Sequence, residues 1–182
     1  MRKVTSSLFS SVDGVVESPN LWQFDHFDEE MGPAMEAALA DMDAVLLGRT
    51  TYEQWASYWP DPSNDDEFGQ FINPVRKYVA SRTLDGPLEW ENSSLIEGNL
   101  EDFVADLRMA DGGTIGIQGS ISVVRQLLFA GLLDELTLMV HPVVAGEGER
   151  LFRPGDATTR LELKNSQITS SGNALLTYSL RE

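Results

Sequence analysis

The sequence predicts an α/β protein with a mostly parallel sheet and an antiparallel hairpin at its carboxyl end. Short apolar segments at 44–47, 78–80 and 114–117 each run into small polar residues, and helical patterns follow the first and the third. Strands that alternate with helices are typical of parallel sheets. Residues 161–164 and 174–180 alternate apolar and polar side chains around a polar, glycine-containing turn, which indicates an antiparallel pair.

Local patterns predict the elements in chain order, with β-branched runs indicating strands and apolar spacings of three and four indicating helices. The Asp13-Gly14 turn ends the first strand before it resumes at Val15-Val16, and Pro33 suits a first helical turn. Residues 58–70, rich in Pro, Asp and Asn, predict a surface loop. The predicted elements are strands at 4–11, 44–47, 78–80, 89–91, 114–117, 132–140, 161–164 and 174–180 and helices at 29–42, 50–55, 100–109 and 121–130.

Length and composition limit the class of protein. A chain of 182 residues, 42% of them hydrophobic, can bury roughly 70% of its unfolded surface in one domain, 1–182. No apolar run approaches the ~20 residues of a membrane span, and the first residues lack the apolar core of a secretory signal. We therefore expect a cytoplasmic protein with no membrane partner. Without cysteine, and with two distant histidines, we expect no disulfide and no metal site.

The net charge of −16, with no basic run, makes nucleic acid an unexpected partner. A phosphorylated ligand would require the few cations to be concentrated locally. Two strand ends carry such a cation, Gly48-Arg49-Thr50-Thr51 and Ser81-Arg82-Thr83. Because ligands bind beyond the carboxyl ends of parallel strands, both arginines could reach one phosphate. A third junction, Gln118-Gly119-Ser120-Ile121, offers the backbone N–H groups of a helix start.

Taken together, these junctions resemble the dihydrofolate reductase-like superfamily. The resemblance also includes the segment 131–136 and His141-Pro142-Val143-Val144, and it covers nearly the whole chain. The closest similarity is to the reductase half of the bifunctional riboflavin-biosynthesis deaminase/reductase. The resemblance implies a three-layer fold, in which helices flank a mixed, mostly parallel sheet with an antiparallel carboxyl-terminal hairpin, and a homodimer.

The resemblance also implies NADPH as the cofactor and a small-molecule substrate. It assigns the cofactor phosphates to Gly48, Arg49 and Thr50, with Thr51 beside them. The resemblance assigns the adenosine 2′-phosphate to Ser81 and Arg82, with Thr83 next to them. The pyrophosphate is assigned to the turn Gln118-Gly119-Ser120-Ile121.

On the substrate side, the resemblance places Asp13-Gly14 beside the nicotinamide and Trp22 near the substrate pocket. The residue that acts on the substrate is left open among Asp13, Asp25, Asp28 and Glu29. The loop 142–152 corresponds to one that handles a ribosyl phosphate, with Pro142, Gly146 and Gly148 as candidate contacts. Glu147 and Glu149 in this loop do not suit a phosphate.

Two classes of function therefore remain open at the sequence level. The first is an NADPH-dependent reductase of a small heterocyclic or ribosylaminopyrimidine-like substrate, with an unphosphorylated foreign compound as a variant. The second is a nucleotide-binding or scaffold protein that keeps the fold without the chemistry. Neither a Ser-His-Asp set nor a carboxylate pair stands out, so a hydrolase is not expected.

Overall fold

The computed structural model describes residues 1–23 and 27–180. In chain order, its strands and helices are β1 (Val4–Ser11), α1 (Met31–Leu39), β2 (Met42–Gly48), α2 (Arg49–Ala56), α3 (Glu67–Ile72), β3 (Arg76–Ala80), β4 (Ser93–Leu95), α4 (Leu100–Met109), β5 (Thr114–Ile117), α5 (Ile121–Phe129), β6 (Glu135–His141), β7 (Leu161–Ile168) and β8 (Ala174–Leu180). Chain contacts group them into two compact units, the first comprising residues 1–4 and 41–132 and the second the remaining described residues. The single domain over 1–182 stays a prediction.

The first unit contains four parallel strands in the order β4-β3-β2-β5. Its core is apolar on β2 and β3 because these central strands are covered by helices, and Val45, Leu47 and Val79 are fully buried. Tyr52 from α2 and Ile72 from α3 pack against them. The carboxyl ends of these buried strands carry the polar junctions.

The second unit contains strands in the order β1-β6-β8-β7, with α1 packed through Met31 against Met139 and Leu175. β1 and β6 are parallel, and β8 runs antiparallel to both β6 and β7. The predicted fold class is confirmed: the strands are mostly parallel, the carboxyl-terminal strands are antiparallel, and helices flank them. Among the described residues, none of the helices has the length and apolar character of a membrane span.

Several element predictions were wrong in detail. The expected loop at 58–70 contains a 3-10 turn, Pro62–Asn64, and the start of α3, where the Asp66 carboxylate accepts the Gly69 N–H at 2.9 Å. This cap supplies a start signal that the Pro- and Asp-rich composition obscures.

The expected strand at 89–91 is a turn, and the actual strand, β4, follows it. Trp90 is buried there because its ring joins the core and its indole N–H donates to Asn73 Oδ1 at 3.0 Å. The helix expected at 29–42 is shortened to α1 because Asp28 Oδ1 accepts the N–H of Met31 at 3.2 Å and β2 already begins at Met42. Val15 forms an isolated bridge with Arg150 rather than a strand.

Candidate functional site

Three strand ends of the first unit meet at one edge. Gly48 pairs with Ala80 in the β2–β3 register, so the polar residues that follow both strands leave the sheet side by side. Leu46 pairs with Ile117 of β5, and the Gly48 N–H donates to the Gly119 carbonyl at 2.9 Å. The sequence-distant junctions are therefore neighbours in space.

A cavity of about 640 Å³ opens at this edge. Arg49 and Arg82, the two cations singled out in the sequence, both line it. The full lining comprises Gly48, Arg49, Thr50, Ala80, Ser81, Arg82, Thr83, Ile96, Gly98, Asn99, Leu100, Ser120, Ser122, Val123 and Gln126. Its size is within the range of small-molecule and cofactor sites.

Two helix starts face this cavity without side-chain caps. Gly48 precedes α2 and Ser120 precedes α5, and neither helix has a side-chain hydrogen bond to its first N–H groups. In contrast, Asn99 caps α4, since its Oδ1 accepts the Glu101 N–H at 2.7 Å. Uncapped first-turn N–H groups and the positive end of a helix dipole favour a bound anion.

Glycine is required where these two helix starts approach each other. A Cβ atom on Gly48 would lie 2.8 Å from Ser120 Cβ and 3.1 Å from the Ser120 backbone nitrogen, and it would also collide with Ser120 Oγ. Gly119 has a φ of +125°, and a Cβ there would lie 2.8 Å from Thr51 Oγ1. The missing side chain of Gly48 therefore lets the starts of α2 and α5 lie against each other beside the cavity.

The cavity's two cations differ in their surroundings. Arg49 Nη1 pairs with Glu53 Oε2 at 2.8 Å, one turn along α2. For Arg82, which is exposed, no ion pair with a carboxylate of residues 1–23 or 27–180 is present. Ser81 Oγ accepts the Leu84 N–H at 2.9 Å, so its hydroxyl proton is available to a ligand. Arg82 is therefore the cation better placed to pair with an incoming dianion.

The sequence prediction selected some positions outside the lining and missed others inside it. Four predicted residues do not line the cavity: Thr51, Gln118, Gly119 and Ile121. Gln118, for example, points its amide at Met42 Sδ, 3.5 Å away. Asn99, Ser122 and Gln126 line the cavity but were not predicted. Asn99 had a usable signal, because asparagine before an acidic first turn indicates a helix N-cap.

In the second unit, Asp13 joins the turn after β1 to the loop after β6. Its carboxylate accepts the Ala145 and Gly146 N–H groups at 3.0 Å each and the Ser11 hydroxyl at 2.6 Å, and Arg150 pairs with it at 3.1 Å. The Ser11 hydroxyl first, and then the two loop N–H groups, lower the pKa of Asp13 to about 2. The carboxylate is therefore ionised at neutral pH.

Asp28 is also held as a carboxylate. Its Oδ2 accepts the Asn173 amide at 3.0 Å, and its Oδ1 accepts the N–H groups of Glu30 and Met31. The Thr169 hydroxyl first, and then the Asn173 amide, lower the pKa of Asp28. Of the other candidates, Glu29 is exposed, and Asp25 lies outside the described residues.

Aromatic rings cluster at the carboxyl ends of β1 and β6 in the second unit. The His141 ring lies 5.6 Å from that of Phe9 and 5.8 Å from that of Trp22, centroid to centroid. Phe27 contacts Phe9 edge to face at 6.3 Å and is 47% exposed. This apolar surface can stack a planar ring. The Trp22 indole N–H donates a hydrogen bond to the Glu17 carbonyl at 3.1 Å, which orients the ring.

Of the predicted loop residues, Gly146 takes part in the Asp13 contacts, and Pro142 is exposed. Gly148 has a φ of +117°, and a Cβ there would lie 2.7 Å from Val15 Cγ1. Gly14 has a φ of +83° in the turn that carries Asp13. The glycines therefore shape the backbone here, and a ligand-binding role for them stays a prediction.

The chain is similar to known proteins over nearly its whole length. The chain is 31% identical over 184 residues to the uncharacterized protein YyaP of Bacillus subtilis (strain 168), covering 97% of this chain and 94% of YyaP. A Shewanella sp. PV-4 protein provisionally described as a riboflavin biosynthesis protein superposes with a TM-score of 0.80 at 20% identity, covering 99% of each chain. Dihydrofolate reductase from Enterococcus faecalis, complexed with NADP(H), has a TM-score of 0.63 at 17% identity, covering 99% of this chain and 97% of its own.

The two structural likenesses define the class: an α/β protein with the dihydrofolate reductase-like fold. A family model described as the RibD C-terminal domain matches residues 2–175. The chain therefore belongs to the RibD C-terminal domain family, a riboflavin-pathway reductase-like family. The resemblance inferred from the junction motifs is confirmed.

Proposed function

We propose that this protein is an NADPH-dependent reductase that transfers hydride to a small heterocyclic substrate of the ribosylaminopyrimidine type or a relative of it. The observation that carries the proposal is the cavity of the first unit, where Arg49 and Arg82 accompany two uncapped helix starts. In an acidic chain, such a local concentration of donors fits a ligand with several phosphates. The Enterococcus protein of the same fold is described in complex with NADP(H).

The residues present fit such a cofactor. Gly48 lines the cavity, and its missing side chain lets the starts of α2 and α5 lie close enough for both to offer N–H groups to one pyrophosphate. Arg82 with the Ser81 hydroxyl provides a guanidinium and a further donor for a 2′-phosphate. We assign the 2′-phosphate to these two residues, and the remaining phosphates to Arg49, Thr50 and the start of α5.

NADPH, when bound, supplies hydride from its nicotinamide ring to a C=N or C=O bond. The chain's contribution is binding and orientation. The rings of Trp22 and Phe27 offer a stacking surface for a planar substrate. Asp13 and Asp28 are ionised at neutral pH and have no proton to give there, so we propose that they position the backbone rather than donate a proton.

Arg82→Ala is expected to weaken NADPH binding roughly 10- to 100-fold and to leave NADH binding unchanged, because only NADPH carries the 2′-phosphate. Titration of each cofactor by calorimetry measures the effect. Arg76→Ala is the matched control, since Arg76 is an exposed arginine at the opposite end of β3. Equal losses for both cofactors would remove the 2′-phosphate role from Arg82.

Turnover separates the reductase from a non-catalytic nucleotide-binding protein. Oxidation of NADPH, followed at 340 nm with aminopyrimidine or dihydrofolate substrates, would exclude the second class. Tight NADPH binding without turnover on either substrate would favour it.

A homodimer is part of this proposal. β7 is an edge strand, and Leu163 and Ile168 on it are 51% and 66% exposed. Exposed apolar side chains on an unpaired edge favour association with a second copy. Light scattering after size-exclusion chromatography is expected to give twice the 20.1 kDa chain mass. Leu163→Lys should shift the species to the monomer, and a wild-type monomer at micromolar concentration would contradict the dimer.

A further inference from the structure

The turn after β1 and the loop after β6 form a complete set of oxyanion donors in the second unit. The Ala145 and Gly146 N–H groups, the Ser11 hydroxyl and the Arg150 guanidinium all converge on one point. Gly146 has a φ of +78°, which lets the two successive N–H groups point the same way. Two backbone N–H groups, a hydroxyl and a guanidinium are the donors that phosphate sites use.

The group at that point is the chain's own Asp13 carboxylate. Both of its oxygens are used, Oδ1 by Ser11 and Ala145 and Oδ2 by Gly146 and Arg150. Arg150 Nε also donates to the Asp13 carbonyl at 2.8 Å, which fixes the guanidinium in place. With its pKa at about 2, Asp13 keeps its negative charge across the physiological range.

Two further donors in and beside this loop also pair with carboxylates. The Glu149 N–H donates to Glu17 Oε2 at 2.8 Å. Arg153 pairs with the Glu149 side chain. A phosphate approaching the loop would therefore meet three carboxylates, and each cation it could use is already paired with one of them. Phosphate binding there is disfavoured by both repulsion and lost hydrogen bonds.

We propose that Asp13 is a built-in occupant of an oxyanion site, and that the protein consequently acts on a heterocyclic substrate that carries no phosphate at this loop. The statement about the substrate rests on the proposed reductase function. The occupation of the site by Asp13 does not depend on that function. A carboxylate that the fold holds within hydrogen-bond distance of these donors has an effective concentration far above that of a dissolved anion, so phosphate does not displace it.

Removing the Asp13 carboxylate is expected to create a phosphate site. The probe is inorganic phosphate, titrated calorimetrically into chains that all carry Arg49→Ala and Arg82→Ala, which removes both cations of the first unit's cavity. With Asp13→Ala added, saturable binding with a dissociation constant of roughly 1–10 mM is expected. With Asp13 intact, no saturable binding is expected over the same range.

Two matched variants identify the donors. Asp28→Ala removes another ionised carboxylate of the same unit but exposes no guanidinium, so it should gain no phosphate binding. Arg150→Ala added to the Asp13→Ala chain should abolish the gain. If Asp13→Ala does not fold, Asp13→Ser is used, because its short neutral side chain also removes the negative charge and leaves room for the anion.

Phosphate binding by the chain with Asp13 intact, equal to that of the variant, would overturn the proposal. So would the absence of binding in a folded Asp13 variant. Because the titrations contain no NADPH, neither outcome depends on the cofactor. Failure of the reductase proposal would appear separately, as an Arg82→Ala variant without any NADPH-specific loss.

Discussion

Gly48→Ala is expected to weaken binding of NADPH and NADH alike by roughly 10- to 100-fold, because the added methyl group displaces the start of α5. The new Cβ would lie 2.8 Å from Ser120 Cβ and collide with its hydroxyl. Ser120 has to move to remove this steric clash, and the first N–H groups of α5 move with it. Their hydrogen bonds to a cofactor phosphate would then lengthen. Fluorescence titration with both cofactors measures the loss.

A double-mutant cycle tests this cause. Ser120→Gly removes the atoms that the alanine methyl group meets, so the Gly48→Ala/Ser120→Gly chain should recover part of the lost affinity. Gly32→Ala is the matched control, since Gly32 lies in α1 and a Cβ there meets nothing within 4 Å. Unchanged cofactor affinity in a folded Gly48→Ala chain would show that the approach of the two helix starts does not shape the binding site.

Lys77→Met is expected to reduce the free energy of unfolding by about 2–4 kcal/mol at pH 7, since it removes a buried donor from three carbonyl groups. Lys77 is fully buried, and its Nζ donates to the carbonyls of Ile72, Asn73 and Val75 at 2.8, 2.7 and 2.9 Å. The ammonium thus satisfies the carbonyls at the end of α3 and lies 4.5 Å from the Trp90 ring centroid. Urea unfolding measures the loss.

Exposed Arg76, next to Lys77 on β3, provides the control: Arg76→Met should change the unfolding free energy by less than about 0.5 kcal/mol. A Lys77→Met chain as stable as wild type would show that the three carbonyls find other partners.

The same lysine gives a pH dependence with a definite sign. Burial lowers the pKa of Lys77 from 10.5 to about 8. Between these values the unfolded chain still holds the proton and the folded chain has lost it, so the free energy of unfolding rises with pH. Relative to Lys77→Met, the wild-type chain should gain on the order of 3 kcal/mol from pH 8 to 10.5. If the difference in unfolding free energy between the two chains did not change with pH, the lowered pKa of Lys77 would be contradicted.

The sequence identified the strand-to-helix junctions because each is a local pattern. β1, α4 and β5 match their predicted ranges, since each combines a clear period with distinct end signals. α3 was missed because its Asp66 cap lies in a stretch rich in Pro and Asp, which suggests a loop. β4 was misplaced because the turn before it is fixed by the burial of Trp90, whose hydrogen-bond partner Asn73 lies 17 residues away.

The sequence identified Asp13 as a candidate site residue but did not show which groups its carboxylate binds. A spacing of 132 residues separates it from the Ala145 N–H that it accepts. A turn aspartate is compatible with a catalyst, a substrate contact or an internal ligand, and the choice depends on which donors the fold brings to it. The Asp28 carboxylate, fixed by Asn173 at a separation of 145 residues, is a second case.

By itself, the sequence determined the fold class, the family and the positions of Arg49, Arg82 and the Gly119-Ser120 turn at strand ends. The fold class and these positions follow from short-range periodicity and from the residue types that strand ends and helix starts require, and the family follows from the resemblance of the junction motifs. Only the tertiary structure decided that both arginines line one cavity and that the Asp13 carboxylate accepts the donors around it. Hydrogen bonds and ion pairs act over about 3 Å, and only strand register and loop packing bring distant residues that close.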